Sequence, residues 1–599
     1  MPRPPRPPRP PRFAFPWVLG LMVLPAVSLT GQQANAPDSV RLHQLFAQNW
    51  AYTMREYPEF ATAVGYPGQN ARWTDYSLEA IARRKRELND PLTALRAIDR
   101  ARLNPTDQLN YDLFRRNATD ALEESRFPGE LMPITQLNGV QQDVPSTIAQ
   151  MPAGSVRDYD DIVARLRAVP VLVNQTVVLL QRGLAARVTP PRITLRDVPS
   201  QAQDLVVDDP LTSPLLAAFT HFPADVPAAD QQRLRSAAIA AYRDSVAPAF
   251  RGLSAFLRDT YAPGARTTTG MRDLPNGLAW YQVRARASTT TDLTPEQIHA
   301  MGLAEVKRIR GEMDSVIVAS GFKGAFADYV QFLRTDPRFY FTTPEDLLRA
   351  SRDLAKRIDP QLVRLFGTLP RLPYGVSPIP SYSERSQTTA YYQPGSPLGH
   401  RPGTYFVNTY NLPARPRWEM EALTLHEAVP GHHLQIALAQ ELEGVPEFRR
   451  FGGYTAFVEG WGLYSESLGG ELGLYTDPYG KFGQLTYEMW RAVRLVIDTG
   501  IHTMGWTREQ AIDYFKANAA KTEHDITVEV DRYIVWPGQA LAYKIGELKI
   551  KELRAYATTT LGDRFDVRAF HDQVLGAGAV PLDVLDARIH AWVASVQAR

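Results

Sequence analysis

The chain has 599 residues, of which 44% are hydrophobic and 22% charged, values typical of globular proteins rather than of disordered, collagen-like or coiled-coil chains. Its formal net charge is +2, but four of the 66 basic residues are arginines among the first 12 positions, so 62 basic side chains remain against 64 acidic ones. A near-neutral chain lacks the basic surface that nucleic acids require, and we expect no nucleic-acid partner.

The first residues predict a leader for export. Arginine–proline repeats precede an apolar run over residues 13–29 and Ala34-Asn35-Ala36, a small-residue pattern typical of a cleavage site. We interpret residues 1–36 as a signal peptide and predict a periplasmic or secreted protein without stable membrane insertion after leader removal. A retained single anchor is the alternative. The chain has no cysteine, which excludes disulfides, thiolate ligands, a cysteine nucleophile and lipid attachment at a leader cysteine.

Beyond the leader, apolar residues recur with helical spacing. This pattern predicts amphipathic helices over residues 40–57, 78–97, 230–259 and 294–320. The last starts at a threonine cap, with a proline at the first helical position and a glutamine that completes a capping box. Prolines between 370 and 402 predict a long irregular connection, and alternation over 403–409 predicts a strand. We therefore predict one mostly helical region, residues 37–599, with an amino-terminal part (37–290) and a metal-site part (291–599).

The segment HEAVPGHH at residues 426–433 is the strongest indication of chemistry. The helical pattern over 418–429 places His426 and Glu427 at the end of a helix. Zinc peptidases commonly use two histidines one turn apart, with a glutamate between them that activates water, but here Pro430 occupies the second histidine position. Because proline interrupts a helix, a bulge of two residues would make His432 a ligand, and one of three would make His433 a ligand. We favour His432.

A catalytic zinc ion needs a third protein ligand beside its open position. Glu459 follows His426 by 33 residues and is followed by Gly460 and Gly462, which permit close approach. Glu466 is the alternative. Either carboxylate alone would more simply be solvated or ion-paired, but together with the histidine segment it predicts one Zn²⁺ per chain, held by His426, His432 and Glu459.

Three long motifs, HEAVPGHHLQ, PGTYFVNTYNLPARPRWEMEALTL and EVDRYIVWPGQALAYKIGE, resemble the bacterial domain-of-unknown-function family DUF885. The resemblance extends to YPEFATAVGY, Trp73, Asp75 and Ser77, and so covers nearly all of the chain after the leader. More distantly, the chain is similar to gluzincin zinc metallopeptidases such as carboxypeptidase Taq and thimet-type oligopeptidases. These resemblances imply peptide substrates, a single zinc ion and a mainly α fold. In that fold, a large helical metallopeptidase-like body holds a deep cleft, with a small β-sheet beside the active-site helix.

Two catalytic roles follow from this hypothesis. Glu427, next to a metal ligand, would act as the general base that takes a proton from water and passes it to the leaving amine. Tyr533 is our first candidate for stabilising the oxyanion, because similar peptidases carry a tyrosine or histidine from this carboxyl-terminal region. His524 and Tyr543 are the alternatives for that role.

Further residues are candidates for substrate binding. Arg532 has the planar fork that binds a carboxylate bidentately, although it could equally pair with Asp531 or Glu529. The strand near residues 405–409 could hold an extended peptide through main-chain hydrogen bonds. The other candidate substrate contacts are Asn408, Gln539, Tyr543 and His433, of which His433 would either support a metal ligand from behind or face the substrate.

The sequence thus predicts an exported zinc-dependent hydrolase that cleaves short peptides with metal-activated water. Two alternatives stay open: a zinc hydrolase of non-peptide amides or esters, and a non-catalytic exported binding protein with a relic metal site. A serine hydrolase is disfavoured because the chain has no G-x-S-x-G element. The oligomeric state is left open.

Overall fold

The structure, a computed structural model, describes residues 37–598 except 382, 383 and 386. The predicted signal peptide at residues 1–36 lies outside the described residues. Helices dominate the described chain, and a three-stranded sheet lies between residues 374 and 407. The predicted mainly α fold is confirmed.

The amino-terminal part consists of helices joined by short turns. Their bounds are α1 Asp38–Glu56, α2 Pro58–Val64, α3 Leu78–Glu87, α4 Asp90–Arg96, α5 Pro105–Glu124, α6 Val140–Gln150, α7 Val156–Ala186, α8 Val198–Gln203, α9 Ala228–Ala241, α10 Ala247–Phe256, α11 Ala262–Gly264 and α12 Gly277–Thr289.

Three predicted helices fall in this part. The first is confirmed as α1. The second is divided into α3 and α4, because Pro91 starts a new helix after Glu87. The third is interrupted by π-helical turns at Tyr242–Val246 and Leu257–Tyr261, each followed two residues later by a proline. Proline has no N–H and clashes with the carbonyl four residues earlier, so a wider turn precedes it.

The long helix α7 lies at the centre of the amino-terminal core. Its buried face includes Tyr159, Leu166 and Leu180, which pack with residues from α6, α8, α9 and α10. Within the described range, α7 is also the one helix long and apolar enough to cross a membrane by length and composition. Half of its most apolar stretch is buried inside the protein, as in the core helix of a globular domain.

The second part adds the sheet and the remaining helices. Their bounds are α13 Pro295–Ala319, α14 Phe326–Thr335, α15 Pro344–Ile358, β1 Tyr374–Pro378, β2 Ala390–Gln393, β3 Gly403–Val407, α16 Met420–Glu427, α17 His432–Gln440, α18 Glu447–Arg450, α19 Thr455–Ser467, α20 Pro478–His502, α21 Arg508–Asn518, α22 Glu523–Val535, α23 Ala542–Leu561, α24 Val567–Leu575 and α25 Leu582–Gln597.

The start of α13 and the strand near residue 405 agree with the sequence. Thr294 caps α13 and forms the expected capping box with Gln297, and β3 is the predicted strand. The irregular connection predicted over 370–402 is wrong in part, because β1 and β2 lie within it. The sheet order is β1-β3-β2, with β1 parallel and β2 antiparallel to β3. The prolines of this stretch stand at strand ends or beyond them, where no ladder N–H is needed.

Two helix contacts fix the region around the HEAVPGHH segment. Helix α20 is buried along nearly its whole length and packs along α13. Helices α19 and α23 cross where Gly460 meets Gly546, and a Cβ on Gly460 would stand 2.5 Å from the Gly546 Cα. This crossing brings the two backbones into direct contact. The division of the chain at residue 290 stays a prediction, since a cluster of buried residues from Phe127 to Leu582 joins the two parts.

Candidate metal centre

The helix that carries His426 and Glu427 ends where the sequence predicts a break. Helix α16 stops at Glu427, and α17 begins at His432. A Cβ at Gly431 would collide with the carbonyl oxygens of Leu425 and His426, so glycine alone permits this turn. The carbonyl oxygen of Pro430, freed from helical bonding, accepts a hydrogen bond of 2.8 Å from the Trp461 indole.

The break brings His426, His432 and Glu459 together. One potential ligand atom from each residue lies within 4.8 Å of the other two. The Oε2 atom of Glu459 is 3.5 Å from Nε2 of His426 and 3.3 Å from Nε2 of His432. Two ligand atoms that each bind one tetrahedral zinc at about 2 Å lie about 3.3 Å apart. The spacing therefore suits a divalent ion.

The bonding state of Glu459 also fits an ion. Its Oε2 atom is buried and has no hydrogen-bond partner in the described chain, although two imidazole nitrogens face it. Burial alone would raise the pKa of this carboxyl, but His432 and His426 outweigh burial and hold the pKa well below its ordinary value. An ionised, unpartnered oxygen between two imidazoles is a donor set suited to zinc and related divalent ions.

Glu466, the alternative third ligand, has a different place. Its Oε1 atom is 2.8 Å from Nδ1 of His426 and 3.2 Å from Nη2 of Arg491. A carboxylate behind a metal-binding imidazole fixes the orientation of the ring. Burial alone would lower the pKa of His426, but Glu459 and Glu466 raise it to about 9. Glu466 is therefore placed to orient His426 rather than to touch the ion.

Gly462 lies against the ring of His426. A Cβ at this position would stand 2.8 Å from Cε1 and 2.9 Å from Nε2 of that ring. We expect Gly462→Ala to displace His426 and lower zinc affinity by about 10- to 100-fold, as the loss of an orienting contact does. Zinc titration against a competing chelator measures this.

The control for this change is Gly311→Ala in α13, where a Cβ meets nothing within 4 Å. Alanine in an open helical position stabilises a protein by up to about 1 kcal/mol, so this variant should gain stability and keep its metal affinity. Unchanged zinc affinity in Gly462→Ala would show that the ring does not need this close contact.

The second histidine of the pair, His433, points elsewhere. Its Nδ1 atom lies 2.9 Å from the hydroxyl of Tyr392, and its ring packs on Tyr374 with 4.5 Å between ring centroids. Burial lowers the pKa of His433 to about 4. His433 does not line the cavity at the metal centre. This side chain therefore fastens α17 to the sheet, and its contact with a substrate stays a prediction.

A cavity of about 350 Å³ opens at the metal centre. Helices α16, α17, α19, α20, α22 and α23 line it together with the segment around β2. Of the predicted site residues, those that line it are His426, Glu427, His432, Glu459, Arg532, Gln539 and Tyr543. In the described part of the chain, no hydrogen bond or ion pair reaches the Glu427 carboxylate, which leaves this carboxylate without a structural partner.

Asn408, another predicted substrate contact, is engaged by the loop before β2. Its side-chain amide donates hydrogen bonds to the carbonyl oxygens of Glu384, Gln387 and Thr388, and the residue is fully buried. It does not line the cavity. Asn408 therefore holds the loop before β2, and this loop and the strand contribute residues 387–392 to the cavity lining. A substrate contact of Asn408 itself stays a prediction.

Tyr533, the first candidate for stabilising the oxyanion, does not line the cavity. Its hydroxyl accepts hydrogen bonds from Nε1 of Trp490 at 2.9 Å and Nε of Arg494 at 3.0 Å, behind the cavity lining. The alternative His524 is exposed and also outside the lining. Tyr543 does line the cavity, and its ring centroid is 6.2 Å from that of His426.

Several of the cavity residues that were not predicted from the sequence lie on one helix. Tyr487, Trp490, Arg491 and Arg494 all project from α20. The sequence does contain a signal for them: two arginines lie three residues apart within the apolar run MWRAVRLVI. Charged side chains in a buried helix need specific partners.

Arg532, which was predicted from the sequence, donates hydrogen bonds to Gln539 at 3.0 Å and to the Tyr543 hydroxyl at 2.9 Å.

A second, larger cavity lies in the amino-terminal part. Its volume is about 780 Å³, and its lining runs from Tyr57 to Leu179 along the chain. None of the candidate site residues contributes to it. The metal centre is therefore a separate, smaller site.

Comparisons with known proteins agree with this architecture. A family model described as "Bacterial protein of unknown function (DUF885)" matches residues 58–589. A solved structure of a "putative lipoprotein" from Colwellia psychrerythraea is 30% identical, with a TM-score of 0.88, covering 93% of this chain and 100% of its own. Another "putative lipoprotein of unknown function", from Shewanella oneidensis, is 17% identical, with a TM-score of 0.68 and coverage of 92% and 99%, and shows the fold alone. A search among curated proteins gives no significant match.

Proposed function

The chain belongs to the DUF885 family of bacterial proteins of unknown function, and from its candidate metal centre we propose that it is an exported zinc-dependent hydrolase that cleaves short peptides. One observation carries this proposal. The unpartnered Glu459 oxygen faces the Nε2 atoms of His426 and His432, and the unpartnered Glu427 carboxylate lines the same cavity.

The ligands of the proposed zinc are His426, His432 and Glu459. Bound there, zinc would supply Lewis-acid polarisation of a carbonyl group and lower the pKa of a coordinated water. Glu427 follows a ligand directly in sequence and has no competing partner, so its carboxylate is free to accept a proton.

The proposed reaction is hydrolysis of an amide bond. Glu427 removes a proton from the attacking water as the new carbon–oxygen bond forms at the carbonyl carbon. The carbon–nitrogen bond then breaks, and the same proton passes from Glu427 to the leaving amine. One water is consumed, and the carboxyl and amine products account for all atoms.

For stabilising the oxyanion, we propose Tyr543 in place of Tyr533, the first candidate from the sequence. Its hydroxyl oxygen accepts hydrogen bonds from Arg532 and Gln539, which leaves the hydroxyl hydrogen free for another acceptor. A phenol whose oxygen is held by a guanidinium is a stronger donor, because charge-assisted hydrogen bonds polarise it. We propose that this hydrogen stabilises the negative charge that develops on the carbonyl oxygen.

The cavity favours small substrates. Its volume of about 350 Å³ lies at the lower end of the range of about 300–1,000 Å³ found for small-molecule sites. The edge strand β2 contributes part of its wall and offers main-chain groups to an extended ligand. These features favour short peptides over folded proteins.

Export is part of the same proposal. Residues 1–36 carry the pattern of a leader, and the similar solved structure from Colwellia psychrerythraea is described as a "putative lipoprotein". This chain has no cysteine to accept a lipid. We therefore propose a free periplasmic or secreted protein rather than a lipid-anchored one.

Metal content and peptide cleavage test the function together. We expect purified protein to bind one zinc per chain and to melt at a lower temperature in the presence of chelator, because a ligand that binds the folded state stabilises it. Mass analysis of defined short peptides should show hydrolysis that chelator abolishes and zinc restores. Full activity in a metal-free preparation would refute the mechanism, and a zinc-loaded protein that cleaves amides or esters but no peptide would support the non-peptide alternative.

A further inference from the structure

Two arginines at one end of the metal cavity share a single carboxylate. Nη2 of Arg494 is 2.9 Å from Oε2 of Glu529, and Nη1 of Arg532 is 3.6 Å from its Oε1. In the described part of the chain, neither arginine has another ion-pair partner. Asp498, one turn further along α20, accepts from the backbone N–H of Gly538 instead. This end of the cavity therefore carries one positive charge in excess.

The two arginine side chains that carry the excess charge are largely buried. The side chain of Arg494 is 2% exposed and that of Arg532 is 12% exposed, and both line the cavity. Nη1 of Arg494 and Nε of Arg532 are buried without a hydrogen-bond partner among the described residues. Buried guanidinium N–H groups without a partner, together with one positive charge in excess, are costly, and an anion in the cavity would reduce that cost.

The same arginines lie close to the metal ligands. The ring of Tyr543 connects the two groups: its centroid is 6.2 Å from the His426 ring and 4.3 Å from Cζ of Arg494. Arg532 donates to the hydroxyl of the same tyrosine at 2.9 Å. Two extended residues span at most about 7 Å, and a metal–oxygen contact of about 2 Å and a hydrogen bond of about 3 Å to a guanidinium extend this reach at the two ends. One or two residues therefore suffice to connect a carbonyl group at the metal with an anion at the arginines.

We propose that Arg494 and Arg532 bind the free α-carboxylate of the substrate, so that the protein removes one or two residues from the carboxyl end of short peptides. This inference rests on the proposed peptidase function and adds its mode of action. A carboxylate matches the planar guanidinium fork and supplies the missing negative charge. A peptide whose carboxyl end is an amide offers no charge to this end of the cavity.

The test compares tri- and tetrapeptides of identical sequence with free or amidated carboxyl ends. We expect the wild-type protein to favour the free acids by about 10- to 100-fold in kcat/KM, the range that hydrogen bonds to charged groups provide. Arg532→Gln should lower this ratio about tenfold, and Arg532→Lys, which keeps the charge but loses the fork, should lower it less. Products of one or two residues from the carboxyl end are expected.

The matched control is Arg508→Gln. Arg508 pairs with Asp531 at 2.6 Å on the neighbouring helices α21 and α22 but does not line the cavity. Its loss removes a partly buried ion pair without touching the proposed site, so the preference for free acids should persist. An equal loss of preference in this variant would mean that the effect is structural, and would overturn the assignment.

A binding measurement separates this inference from the proposed function. Calorimetry on the chelator-treated full chain, which does not turn over substrate, should show at least about tenfold tighter binding of the free acids than of the amides. Equal cleavage or equal binding of both forms overturns the carboxylate site, even if peptides are hydrolysed. Selective binding of the free acids without any hydrolysis supports the carboxylate site and overturns the peptidase function.

Discussion

Glu427→Gln is expected to lower kcat for peptide hydrolysis by about 10²- to 10⁴-fold, which is the usual contribution of a general base. Glutamine has the shape of glutamate, but its neutral amide accepts no proton. Glu427 is outside the group of potential ligand atoms and makes no hydrogen bond to other described residues, so the fold and the metal should be retained. Steady-state kinetics and metal analysis of the same preparation measure both quantities.

The control for this variant is Glu443→Gln, an exposed glutamate beyond the end of α17. It removes the same charge at a distance from the cavity and should leave kcat and zinc content unchanged. If Glu427→Gln keeps more than a tenth of the wild-type rate, Glu427 is not the base. If the variant loses its zinc instead, Glu427 takes part in holding the ion.

Exchanging the two adjacent histidines one at a time should give opposite results. We expect His432→Ala to lower zinc affinity more than about 100-fold, because even the loss of a residue behind a ligand costs about 10- to 100-fold. His433→Ala should keep zinc affinity near wild type. It should instead lower the free energy of unfolding by about 1–3 kcal/mol, because it removes the contacts with Tyr374 and Tyr392.

Zinc titration and denaturant unfolding on both variants decide between the histidines. The two residues are neighbours on α17 and both are buried, so each variant serves as the control for the other. Retention of zinc by both variants would mean that the helix break does not deliver a ligand. Loss of zinc in His433→Ala alone would exchange the two roles.

The helix break could be predicted because its cause is local. Pro430 and Gly431 interrupt the hydrogen bonding of α16 whatever surrounds them. A continuous helix could therefore be excluded, and an interrupted one made His432 the preferred second ligand. Glu459 could be found for a similar reason, since a glycine such as Gly462 beside a carboxylate signals a close approach. Their role as metal ligands stays a prediction, which the zinc titrations test.

The rest of the cavity depends on how helices are rotated against each other, which no short segment encodes. Tyr533 and Tyr543 are ten residues apart, and the turn between α22 and α23 decides which of them faces the cavity. Arg494 lies on α20, which packs against α22 and α23 only in the folded protein. Strands β1 and β2 were missed because their prolines resemble a loop until β3 pairs with both strands.

The meeting of Gly460 with Gly546 determines how rigid one side of the proposed active site is. Glu459 precedes the first of these glycines, and Tyr543 stands one turn before the second. Since main chain rests on main chain there, the separation of the two helix backbones is as small as covalent dimensions allow, and the Cα atoms of Glu459 and Tyr543 are held at a fixed spacing. This side of the cavity can change its backbone only if both helices move together, whereas residues 387–392 contribute lining from strand β2 and the loop before it.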